Sequence, residues 1–344
     1  MRASPILAAL LLGAATIADG QESRRSLDLT IHGVGLSIGD SRGVTGLRLN
    51  FRDTRLERVN GVNATIWGPV GEPTGEVNGV ALGLPATGAA RIRGLTVGVL
   101  GAGTSEDMVG LSIGGAGLGA GGDLRGITIG GLGAGAGGSL TGLTIGGLGA
   151  GAGGSVRGIS VGGLGVGTGG DLTGFAAGGL GAGAGGDIRG IVLGGLGVGG
   201  GGDFTGIGIG GLGVGAGGDV TGLTIGGLGV GAGGSLRGIQ VGGLGLGSPD
   251  VRGLSVAGVM MGGENVTGLA VAGAYLRVED GTLHGVATSA YNDVRGTQRG
   301  LTIGLLNRAY ELHGLQIGIL NYAGNRPAAL RWLPVVNWNF GEGQ

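Results

Sequence analysis

The feature that most constrains this chain is a 16-residue period. From Gly94 to Arg237 the unit repeats without a slip, opening at Gly94, Gly110, Gly126, Gly142, Gly158, Gly174, Gly190, Gly206 and Gly222. Looser units of 14 to 18 residues extend it from Gly46 to beyond Gly314. A unit this short cannot bury an apolar face alone, so neighbours must stack into one continuous core. With the opening glycine as column one, four columns are apolar. These are the second (Ile127, Leu143, Ile159), fourth (Ile129, Ile145, Val161), seventh (Leu132, Leu148, Leu164) and fifteenth (Leu124, Leu140, Val156). Columns two and four flank a variable third (Thr128, Ser160, Val192, Gln240), which is period two. That predicts a strand burying columns two and four. The pair Gly130-Gly131 predicts a bend at a slip in phase. The pair Gly137-Gly138, ahead of a Ser or Asp, predicts a turn. No stretch has a helical period.

The fold class read from this pattern is all-β, a β-solenoid of about 16-residue coils. The alternative is an outer-membrane up-and-down β-barrel with one strand per repeat, for which strands of ~9–11 residues suffice. The alternation of Leu330, Trp332, Pro334, Val336, Trp338 and Phe340 suits a closing barrel strand. So does electrostatics, because a solenoid stacks Asp171, Asp187, Asp203 and Asp219 in one column of like charge. Solvent and the nearby Arg189 would soften that repulsion. Against the barrel, successive repeats lack a sustained 32-residue alternation, long loops on one side and aromatic girdles.

Composition narrows the function. The chain has 97 glycines in 344 residues but only 7 prolines and no Gly-X-Y period, so it is not collagen-like. Aromatic residues make up 3%, too few for a core of large side chains. The net charge is −1 with no basic stripe, which argues against a nucleic-acid partner. The absence of Cys excludes disulfides and a lipid-modified cysteine. Arg2, the apolar run Ile6 to Ala15 and the small residues that follow read as a secretory signal peptide. The chain divides into a signal peptide (1–20), an N-terminal strand or cap (21–45), the Gly-rich repeat array (46–329) and a C-terminal cap strand (330–344). The mature chain is expected to be exported.

Motifs that resemble active sites follow from composition. "GLSIG" at Gly35–Gly39 and Gly110–Gly114, and "GISVG" at Gly158–Gly162, fit a nucleophile elbow formally. Yet Thr128, Ala176 and Gly208 share the column of Ser112, and no strand-turn-helix context surrounds it. Gly-x-Gly-x-x-Gly matches lack the helix a phosphate cradle needs. The Gly-Gly-Asp turns supply one acid per repeat, too few to surround Ca²⁺. His32, His284 and His313 have no ligand spacing, and His284 and His313 fall in an exposed column. Asn63-Ala64-Thr65 and Asn265-Val266-Thr267 are glycosylation sequons in form. A third-column ladder of hydroxyls (Thr96, Ser112, Thr128, Thr144, Ser160, Thr224) offers a flat surface for ice or polysaccharide. No catalytic residue, cofactor-binding residue, metal ligand or cofactor is assigned.

The ends of the array are less diluted by glycine. "GLTIGLLNRA" (Gly300–Ala309), "GLQIGILNYA" (Gly314–Ala323), "LPVVNWNF" (Leu333–Phe340) and "GLRLNF" (Gly46–Phe51) resemble the Leptospira-type bacterial surface-repeat family. Between Gly110 and Gly247 the family's Asn is replaced by Gly, as at Gly133. The resemblance implies an exported, non-enzymatic protein of the cell surface or outer membrane. Its implied role is structural or adhesive, toward a surface ligand or an envelope component. Asn307 and Asn321 are expected to stack as a ladder.

Overall fold

A computed structural model describes residues 26–69 and 71–341. The predicted signal peptide lies outside the described residues. The chain forms two compact units, Met1–Gly147 and Leu148–Gln344. Each is a parallel β-solenoid with one coil per repeat.

In the first unit a hairpin of Ser26–Ile31 and Val34–Gly39 leads in, paired antiparallel. Positive φ at His32 (50°) and Gly33 (76°) forms its two-residue turn. From Val34–Gly39 onward, each long strand lies parallel on the next. Leu124–Gly130 is flanked by Met108–Gly114 and Leu140–Gly146, with Thr128 opposite both Ser112 and Thr144. Short strands such as Gly117–Ala120 and Gly133–Ala136 form a second parallel stack. The second unit repeats this scheme. Ile188–Gly194 pairs with Leu172–Gly178 and Phe204–Gly210, and the short strand Gly197–Gly200 pairs with Gly181–Ala184 and Gly213–Ala216. The unit closes on Trp332–Asn339, which turns back antiparallel along Gly314 to Tyr322. A barrel of the up-and-down kind needs antiparallel neighbours, so the barrel alternative is overturned by this parallel register. The one helical element among the described residues is a single 3-10 turn, Ala328–Leu330.

The predicted bends fall where expected. Gly131 and Leu132 form the corner between long and short strands, and Gly137-Gly138 form the turn into the next coil. A Cβ on Gly131 would overlap the carbonyl oxygen of Gly115 one coil earlier, and one on Gly130 would overlap that of Gly133.

The change of phase falls at this corner as well: Ile129 and Leu132, three residues apart, both face outward, at 36% and 56% exposure. The column-one glycines from Gly61 to Gly300 have φ between 109° and 138°, a conformation that side chains resist. A Cβ on Gly126 would also overlap the carbonyl oxygen of Gly110. Period-two alternation runs unbroken through this kink, so columns fifteen and three, four residues apart, share the inward face. Leu124 and Thr128 are buried at 1% and 2% exposure, whereas Ile127 and Ile129 stand 43% and 36% exposed. The expectation that columns two and four form the core is therefore corrected. The seventh column is outward too, with Leu132 at 56%.

The interior is narrow and built from columns fifteen, three and nine. A Cβ on Gly208 would meet the Phe204 ring at 2.7 Å and Val214 at 3.2 Å, which locates the three columns against one another. Phe204 fills the room that Gly208 vacates. Elsewhere a smaller column-fifteen residue, such as Ile188, accompanies a larger third-column residue, Val192. Each column-fifteen aliphatic removed from water contributes about 1.5–3 kcal/mol.

Candidate interaction surfaces

The third column never reaches solvent. Ser37, Ser112 and Ser160 of the elbow-like motifs are buried, as are Thr96, Thr128, Thr144 and Thr224. The hydroxyl ladder is thus interior packing, and the reading of it as a flat ice- or polysaccharide-binding surface is overturned. The fold makes these residues small because the two strand stacks approach closely.

The polar surface lies along the turns. The N–H of Asp187 donates to Asp171 Oδ1 at 3.0 Å, that of Asp203 to Asp187 at 2.9 Å, and that of Asp219 to Asp203 at 2.8 Å. Ser235 continues the chain of bonds on Asp219 at 2.8 Å. Asp123 receives Ser139 in the first unit at 2.7 Å. Each carboxylate caps a turn amide in the next coil, which offsets the like-charge column. Arg189 lies 2.6 Å from Asp187, and Arg237 lies 3.3 Å from Asp219. The backbone bond from Ser139, then Arg125, holds Asp123 below the ordinary carboxylate range. The bonds from Ser235, then the charges of Arg237 and Arg252, do the same for Asp219. Asn265 occupies this column in register with Asp250, and its Oδ1 accepts the Thr282 N–H at 3.0 Å. Among the described residues, no three His, Cys, Asp or Glu side chains gather to hold a metal ion. His284 is exposed between Thr267 and Arg299 in the sixteenth column. His313 Nδ1 lies 2.8 Å from the Gly341 carbonyl, and His32 sits on the exposed hairpin turn.

Polar side chains enter the core near both termini. In the first unit Arg48 is fully buried. Its guanidinium donates to Asp53, to Asp40 at 3.1 Å, to Asn63 at 2.9 Å and to Ser41 at 3.1 Å. Asn63 Nδ2 donates to Asp53 at 3.0 Å, so the first sequon is inside the coil. Burial raises the Asp40 carboxyl, but bonds from Thr54 and the charges of Arg48 and Arg55 outweigh it and lower it. In the second unit Asn307 and Asn321 form the expected ladder, and Asn292 extends it by one coil. Asn292 Nδ2 donates to Asn307 at 2.7 Å, and Asn307 Nδ2 to Asn321 at 2.7 Å. Asn292 stands opposite Leu276, so the ladder takes over the inward ninth column. The Arg48 cluster was missed by sequence reasoning. Its signal was a charged residue in a column otherwise occupied by Ser, Thr, Ala, Val, Gly, Asn or Gln.

The outward aliphatic rows are the dominant surface. In the second unit Ile159, Ile191, Ile209, Ile239, Leu254 and Leu269 are all at least 36% exposed. Column-seven Leu164, Leu180, Leu196, Leu212, Leu228 and Leu244 run beside them, also exposed. Isolated apolar residues on a surface are ordinary, but contiguous rows mark an interaction site. No family model, curated protein or solved structure matches the chain.

Proposed function

We propose that this chain is an exported, non-enzymatic repeat protein of the bacterial cell envelope with a structural or adhesive role. The observation that carries this reading is the outward aliphatic surface, repeated coil after coil on a rigid hydrogen-bonded scaffold. Such a surface favours an extended partner or envelope component over a small substrate held in a cleft. The signal-peptide pattern at Arg2 and Ile6 to Ala15 supports export, and the terminal repeats support a surface location by resemblance. Fractionating cells that express the full chain tests it. The protein should reach the envelope, be cleaved by protease added to intact cells, and leave membranes on carbonate washing. Retention in the cytoplasm would overturn the proposal.

A further inference from the structure

We propose that the outward face of the long strands in the second unit is a self-association surface, covered by the same face of a second copy of this chain. The inference rests on the fold alone and is independent of export. The face carries columns two and four from Ile159 to Val271. Column sixteen, with Arg157, Arg189, Arg237 and Arg252, shares it, and eight coils at about 4.8 Å, each with a seven-residue strand at about 3.3 Å per residue, make a face of about 900 Å². A standard interface needs about 800 Å² per partner. Among the arginines of that face, Arg189 pairs with Asp187 and Arg252 with Asp250 within the chain, and the net charge is −1. Two copies therefore meet little long-range repulsion, and no surplus of basic charge draws the face to an anionic bilayer.

The shape of the face selects the arrangement. Column two holds its bulkiest residue, Phe175, in the same strand where column four holds its smallest, Ala177. Ala177 lies in an open trough between Val161, Leu193 and Ile209. A two-fold axis along the stacking direction, passing over column three, exchanges columns two and four. It places Phe175 of each copy over Ala177 of the other and keeps every coil in step. Such an interface is isologous and closes at two copies. Sheets packed face to face in this way sit about 10 Å apart.

The test is the oligomeric state of the purified full chain by sedimentation velocity at micromolar concentration. The chain should be a dimer. Ile191→Asp with Ile209→Asp should give a monomer with unchanged circular dichroism and thermal unfolding. Phe175→Ala should weaken dimerisation about tenfold or more, as removal of an aromatic anchor does. Ala177→Phe should abolish it by placing two rings in one space. The exchange Phe175→Ala with Ala177→Phe should restore the dimer, because the axis swaps the two columns. A monomeric wild-type chain, a dimer indifferent to Ile191→Asp with Ile209→Asp, or no recovery in the exchanged variant would overturn the proposal. So would flotation of the monomer with phosphatidylcholine vesicles under conditions where no dimer forms.

Discussion

At the scale of single residues, glycine and the side chains facing it divide the work. Column-one glycines sit at positive φ against the carbonyl of the coil before, so Gly126→Ala meets both strain and overlap. The backbone conformation alone should cost about 1–3 kcal/mol. Gly131→Val should be worse than Thr128→Val, because the first drives a branched side chain into the Gly115 carbonyl while the second changes one buried group for another of similar size. Urea midpoints for the three variants check the order; equal losses would mean the corner is misplaced. Arg48 is the opposite case, a large charged side chain with no exposure. Arg48→Met removes the cation from between Asp40 and Asp53 and should cost about 3–5 kcal/mol, since uncompensated buried charge is what remains. A loss below 1 kcal/mol, read from the same urea midpoints, would contradict the account of that cluster.

At the scale of elements, the coil is a strand, a corner, a short strand and a turn, and most of that was legible. The period gave the coil, the glycine pairs gave the corner and turn, and column fifteen gave half of the core. What was not legible was which face of the strand points inward. Hydrophobicity pointed to Ile127 and Ile129, but alternation from the buried Leu124 puts Thr128 inward instead. A better signal was present in the chemistry of column three. From Ala81 to Ala287 it holds only Ser, Thr, Ala, Val, Gly and one Gln, whereas the sixteenth column carries Arg freely. Freedom to carry charge marked the outside more faithfully than hydrophobicity marked the inside. The Asn ladder was legible because the terminal repeats carry an Asn at a fixed place in the unit, although the register sets it in the ninth column, in line with Leu276, Met261 and Leu246, and not in the column of Gly133. Replacing both Asn307 and Asn321 by Ala leaves Asn292 without its ladder acceptor and the Ile317 carbonyl without its donor at 2.9 Å. Each buried group left unpaired costs about 1–3 kcal/mol. Differential scanning calorimetry should show a lower Tm, and an unchanged Tm would count against the ladder as a stabilising element.

At the scale of the whole molecule, cohesion comes from repetition, and so does the response to pH. Asp123 and Asp219 titrate below an unfolded carboxyl because turn amides and arginines favour their charged forms. Their contribution is fully present above about pH 4, the unfolded value, and is lost as pH falls through the lower folded values. Resistance to urea should therefore hold from neutral pH to about pH 4 and weaken below it, into strongly acidic conditions. Asp219→Asn, which keeps an oxygen acceptor, should flatten part of that dependence; an unchanged slope would mean the turn carboxylate is not coupled to folding. The central claim is the facing of the long strand, with columns two and four outside and column three inside. Because the chain has no Cys, single-cysteine labelling reads this directly. Ile127→Cys and Thr128→Cys are compared for maleimide reaction rate in the folded chain at nanomolar concentration, where copies are kept apart. The account predicts rapid labelling at 127 and protection at 128 until the chain is unfolded. The opposite order would contradict it.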